Sequence, residues 1–154
     1  MEYIEREVDE RLKEWSISDN RKPLLIRGAR QVGKTSSVRH LGESFKYYVE
    51  IDLNEHRELH KLFSQTLTPQ EICLQISYTV NKPIEAGQTL LFIDEIQACP
   101  EAINKLRYFY EQYPELHLIA AGSLLEFVLA DLPSFGVGRI RSLFMYPFSF
   151  KEFL

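Results

Sequence analysis

The chain has 154 residues, 45% of them hydrophobic, and a net charge of −4, a balance that suits one compact domain with an ordinary core. The acidic excess rules out a broad basic field, so nucleic acid is not indicated as a partner within this segment. The opening stretch MEYIEREVDERLKEW is too charged for a secretory signal, and no apolar run approaches the length of a membrane span.

In chain order, Tyr3, Ile4, Val8, Leu12 and Trp15 recur near helical spacing and predict an amphipathic N-terminal helix. With the loop SISDNRKP it forms an N-terminal unit over residues 1–22, and the main domain occupies 23–154. LLIR (Leu24–Arg27) is short and apolar, as a buried parallel strand should be. A glycine-bounded loop leads into a helix marked by Val38, Leu41 and Phe45, and then into a second strand, Tyr47–Leu53. Two helical patches follow, Glu55–Phe63 and Pro69–Val80, the second with proline at a favoured first-turn position.

TLLFIDEIQ (Thr89–Gln97) begins as a continuous apolar strand and ends in acids. Pro100 opens a helix carrying Ile103, Leu106, Tyr110 and Tyr113. Glu115–Ser123 is a fourth strand, Leu124–Leu129 a short helix, and RIRSLFMYPF a fifth strand stopped by Pro147. Strands alternating with helices predict a parallel sheet with helices on both faces, a three-layer α/β/α sandwich. Cys73 and Cys99 stand far apart with no CxxC or metal spacing, and read as two reduced, largely buried thiols of a cytoplasmic protein.

Gly28-Ala29-Arg30-Gln31-Val32-Gly33-Lys34-Thr35 matches G-x-x-x-x-G-K-[ST] in full and sits between a predicted strand and a predicted helix. Glycines permit a tight loop whose N–H groups form an anion nest, and the following helix adds its positive end. Lys34 would place a compact charge on the β- and γ-phosphates, and Thr35 would ligate Mg²⁺. With Ser36, residues 28–36 form the candidate nucleotide-binding segment.

Leu90-Leu91-Phe92-Ile93-Asp94-Glu95 is a buried strand closing on two acids. Asp94 is assigned to the metal, and Glu95 to the water that attacks the γ-phosphate. Ser123, after the fourth strand, is placed to bond the attacking water or the γ-phosphate, or to cap the helix behind it. Arg139 is a candidate to neutralise charge on the γ-phosphate, in cis or from a neighbouring subunit.

ATP is favoured over GTP, because Asn81-Lys82-Pro83-Ile84 and Asn104-Lys105-Leu106-Arg107 both lack the aspartate of a guanine-specific Asn-Lys-x-Asp. Two other readings stay open. One is a P-loop kinase for a small acceptor, with Arg139 and Arg141 in a lid, and the other a non-hydrolysing nucleotide switch. His56 and His60 stand one helical turn apart, but Arg57 and Leu59 occupy the places where a metalloprotease needs its glutamate.

Together LLIRGARQVGKTS, LLFIDEIQACP, AGSLLEF and GRIRSLFMYPFSFKEFL resemble the prokaryotic AAA-like ATPases of the wider AAA+/STAND group. The resemblance runs from Leu24 to the last residue. It implies an additional-strand sheet of order 5-1-4-3-2 and ATP with Mg²⁺. It assigns Lys34 and Thr35 to phosphate and metal, Asp94 to metal and Glu95 to water. Ser123 stands at the sensor position of a Thr-Gly-Ser motif in which Ala121 replaces the threonine, and Gly138-Arg139 matches the family's Gly-Arg. It also implies a helical lid and C-terminal effector domain continuing after residue 154, with either that domain or a second copy of the chain as partner.

Overall fold

The computed structural model describes residues 7–28, 33–123, 125 and 138–145. Among these residues five helices (α1 Glu7–Ser16, α2 Lys34–Gly42, α3 His60–Ser64, α4 Pro69–Val80, α5 Pro100–Gln112) are interspersed with five strands. The strands are β1 Leu24–Arg27, β2 Tyr47–Asp52, β3 Thr89–Asp94, β4 His117–Gly122 and β5 Arg141–Phe144. All pair in parallel, in the order β2-β3-β4-β1-β5. This is the expected 5-1-4-3-2 arrangement read from the other edge.

Period-two alternation sends strand side chains into two cores. On one face Leu24, Ile26, Leu90, Phe92, Ile119, Ala121 and Leu143 pack under α1 and α2, with Leu12, Trp15, Val38 and Leu41. On the other Leu25, Val49, Ile51, Leu91, Ile93, Leu118 and Ala120 pack under α3, α4 and α5, with Ile72, Ile76, Ile103, Leu106 and Phe109. The three-layer sandwich follows from this two-sided burial. Cys73 and Cys99 are both buried free thiols, and burial pushes that of Cys73 up to about 12 and that of Cys99 to about 11.

Local chemistry explains where elements begin. The Thr68 hydroxyl accepts the Glu71 N–H while the Glu71 carboxylate accepts the Thr68 N–H, a capping box with Pro69 at the first helical position. The helix expected from Glu55 starts later, as a 3₁₀ turn at Arg57–Leu59 running into α3. Asp52 accepts the N–H groups of Asn54 and Glu55, and that side-chain turn holds the backbone out of a helix. In α5 the buried positions are Ala102, Ile103, Leu106 and Phe109, with Tyr110 only half-buried. The expected helix over Leu124–Leu129 lies outside the described residues except at Leu125, as do Tyr3, Ile4 and residues 146–154.

Candidate functional site

In a parallel sheet every strand ends at the same edge, and ligands bind at that edge. Here the edge collects Gly28 after β1, Asp52 at the end of β2, Asp94 and Glu95 at β3, and Gly122 and Ser123 at β4. The strand order puts β4 between β1 and β3. Ser123, buried at 2% exposure, therefore lies between the loop after β1 and the acids after β3.

Gly33 precedes α2 with φ 87° and ψ 20°, a left-handed conformation that favours glycine over any residue with a Cβ. Its carbonyl accepts the Ser37 N–H at 3.0 Å, which starts the helix. Lys34, the first residue of α2, is buried, and its Nζ donates to the Gly28 carbonyl at 3.0 Å. The two glycines bounding the loop are so brought together. Burial holds the Lys34 ammonium below its usual range, opposed by the charges of Asp94 and Glu95. Ser36 is exposed on the first turn of the same helix. Ala29, Arg30, Gln31 and Val32 lie outside the described residues.

The Thr35 hydroxyl donates to Asp94 Oδ2 at 3.0 Å, and the Glu95 N–H donates to Asp94 Oδ1 at 2.8 Å. Burial raises the Asp94 carboxyl above its usual range. Those two hydrogen bonds oppose the shift, while the charges of Glu95 and Asp52 add to it. A hydroxyl and a carboxylate side by side are hard oxygen donors of the kind Mg²⁺ takes. The Asp94 carboxylate, desolvated and beside other acids, has every electrostatic reason to welcome a cation.

Two residues absent from the sequence reading join this edge. Asp52 pairs in register with Asp94, and its signal was the shared ending Ile-Asp of the two strands. Gln97 donates from Nε2 to Glu95 Oε2 at 2.6 Å. No spacing rule announces that contact, because it depends on a left-handed Glu95, at φ 52°.

Arg139 is not brought to this edge. It lies two residues before β5, whose first residue, Arg141, pairs with Leu24 at the start of β1 and bonds the Pro23 carbonyl at 3.0 Å. Its Nε makes an ion pair with Glu111 near the end of α5. Of the two placements left open for Arg139, in cis or from a neighbouring subunit, this position favours the second. A residue that precedes a parallel strand sits at the edge opposite the one where strands end, and only a neighbouring copy's site remains open to it. Arg141 sits at the same far edge, so neither arginine forms a lid over its own cradle.

His56 and His60, one helical turn apart in the sequence reading, have separate partners. His60 Nε2 donates to the Leu53 carbonyl at 2.6 Å, and His56 Nδ1 lies 3.2 Å from Glu58 Oε1. Among the described residues, no helix is long and apolar enough to cross a membrane.

Comparison with known proteins agrees with this fold. No curated protein matches the sequence. Among solved structures, the Aeropyrum pernix ORC1 protein in complex with DNA superposes with a TM-score of 0.56 at 16% identity, over 92% of this chain and 44% of that one. C. elegans PCH-2 superposes with a TM-score of 0.51 at 22% identity, over 92% of this chain and 41% of that one. At such identities the likeness is one of fold, and this chain spans less than half the length of either structure. The sequence itself matches the AAA domain family over residues 20–154. That match covers most of the chain and includes both the Gly28–Thr35 loop and the Asp94–Glu95 strand end: the chain is an AAA-like P-loop ATPase domain, a member of the AAA domain family.

Proposed function

We propose that the chain binds ATP with Mg²⁺ at the strand-end edge and hydrolyses it to ADP and phosphate. The observation that carries the reading is the 3.0 Å hydrogen bond from Thr35 to Asp94. It joins two motifs 59 residues apart, and a P-loop hydrolase needs both at one metal ion.

In this reading the loop from Gly28 to Gly33 cradles the phosphates with its N–H groups, and Ser36 adds a hydroxyl beside it. Lys34, already buried and turned to the Gly28 carbonyl, neutralises phosphate charge. Thr35 and Asp94 hold Mg²⁺, which when bound supplies Lewis-acid stabilisation of the phosphate oxygens. Glu95 accepts a proton from the attacking water or orients it, and Ser123 offers a hydroxyl from the neighbouring strand end. Arg139, at the opposite edge, would serve a second copy of the chain, so the proposal includes a homo-oligomer. It also includes coupling to an effector region outside residues 1–154, as the resemblance suggests.

ATP rather than GTP fits the two Asn-Lys pairs. Asn81 is spent as the left-handed cap of α4, and Asn104 lies exposed within α5. The kinase alternative draws no support from Arg139 and Arg141, which lie far from the cradle.

The test is Glu95→Gln, which keeps shape and removes the base. Mg-ATP affinity is expected to stay level while phosphate release falls by about 10²–10⁴-fold. Wild-type turnover by residues 1–154 alone is expected below about 1 s⁻¹, because among the described residues none closes over the site to exclude water. Undiminished phosphate release by Glu95→Gln would remove Glu95 from the mechanism. Transfer to an added small acceptor instead of water would favour the kinase.

A further inference from the structure

We propose that Gln97 is a positioning residue for Glu95, an amide clasp wedged over Gly122 that fixes the carboxylate directed at water. The proposal rests on the hydrolysis reading above and adds to it a residue that acts through Glu95.

The geometry begins at the backbone. Glu95 has φ 52° and ψ 45°, a left-handed conformation that is strained for a residue with a Cβ. That bend sends the chain into the 3₁₀ turn Ile96–Ala98 and swings the Gln97 side chain back over its neighbour's acid. The Gln97 Nε2 reaches Glu95 Oε2 at 2.6 Å. A carboxylate can only accept, so the amide must present its nitrogen to Glu95 and turn its oxygen away. Its Oε1 is buried and has no hydrogen-bond partner among the described residues.

That oxygen lies against Gly122. A Cβ at position 122 would come within 2.2 Å of it, although Gly122 is a strand residue without a positive φ. Glycine is needed there for space, not for backbone freedom. Gly122 is also the last residue of β4, pairs with Arg27 one residue before the cradle, and precedes Ser123. One side chain thus touches the ends of β3 and β4 together.

Glutamate carries three rotatable bonds, and a catalytic carboxylate loses effect when it wanders by as little as 1 Å. With Oε2 held by Gln97, Oε1 is left to face a water. Removing the clasp should therefore slow the chemical step and leave nucleotide binding alone.

Two variants test this against the wild-type chain hydrolysing Mg-ATP. Gln97→Met keeps length and removes the donor. Gly122→Ala keeps Gln97 and pushes its flexible amide aside. Each is expected to lower kcat about tenfold or more, with KM and the Kd of Mg-ATP within about twofold of wild type. Added to Glu95→Gln, either should cause no further loss, since the group it positions is gone. Unchanged or raised kcat, a parallel loss of Mg-ATP affinity, or additive losses in the double variants would overturn the clasp alone. Full hydrolysis by the Glu95→Gln single variant would overturn both the clasp and the reading beneath it.

Discussion

The two edges of the sheet use charge in opposite ways. Where the strands end, Lys34 and Asp94 are both held away from their usual protonation ranges by burial, and Glu95 adopts a left-handed backbone. Where the strands begin, polar groups tie elements together. Trp15 Nε1 donates to the Lys22 carbonyl at 2.6 Å, and His117 Nε2 donates to the Ser16 carbonyl at 2.8 Å. Arg21 lies over the Trp15 ring and bonds the Glu115 carbonyl at 3.0 Å. The first edge carries desolvated charge that a ligand can relieve, and the second spends its polar groups on the fold itself. Substitutions at the first should therefore cost function, and at the second stability.

The largest expected effect is at the starting edge. Trp15 is 1% exposed and packs edge-on to His117, with ring centroids 5.8 Å apart. Trp15→Ala is expected to cost about 3–5 kcal/mol in a denaturant titration, the range for deleting a large buried aromatic. The folded fraction should still bind Mg-ATP with wild-type affinity. Loss of affinity in that fraction would break the division between the edges.

A smaller effect of opposite sign is expected at the other edge. Asp94→Asn removes a half-buried negative charge flanked by Glu95 and Asp52; its oxygen still serves Thr35, while its amide nitrogen faces the Glu95 N–H. The nucleotide-free protein should melt slightly higher, because relief of the partly screened charge outweighs the lost Glu95 bond, and should lose the further stabilisation that Mg²⁺ adds with ATP. A lower melting temperature without nucleotide would show that the Asp94 charge supports the fold.

The smallest effect sharpens the comparison through pH. The Ser16 carbonyl can only accept, so the His117 proton sits on Nε2, and Nδ1 is buried with no partner among the described residues. Burial lowers the imidazole below its ordinary value, and Arg21 adds to the shift, against the Ser16 bond. The unfolded chain then takes up the proton more readily than the folded one. The stability contributed by neutral His117 is complete above about pH 6.5 and is lost as pH falls below it. The melting temperature should decline as pH falls below about 6.5, and His117→Phe should flatten that decline. An equal slope in both proteins would assign the acid sensitivity elsewhere.

Much of this was legible in the residues. β1 and α4 appear at their expected bounds because each start is marked by local chemistry, Pro23 and the Thr68-Pro69-x-Glu71 cap. Lys34, Thr35, Asp94 and Ser123 reach one edge because strand-end placement follows from a parallel sheet. What stayed hidden was set by conformation or by distance in the chain. The Asp52 side-chain turn delayed the helix expected at Glu55, and the left-handed Glu95 folded Gln97 back on its neighbour. For Arg139, whose action in cis or in trans the sequence left open, its place before rather than after β5 puts it at the far edge.

The cradle itself is tested most directly by calorimetric titration of Mg-ATP into the wild-type chain and into Lys34→Ala, with melting temperatures measured in parallel. Wild-type protein is expected to bind, and Lys34→Ala to bind at least about tenfold more weakly, roughly 1.4 kcal/mol or more, with its fold intact. Equal affinity in two equally stable proteins would contradict the assignment of Gly28–Thr35 as the phosphate site.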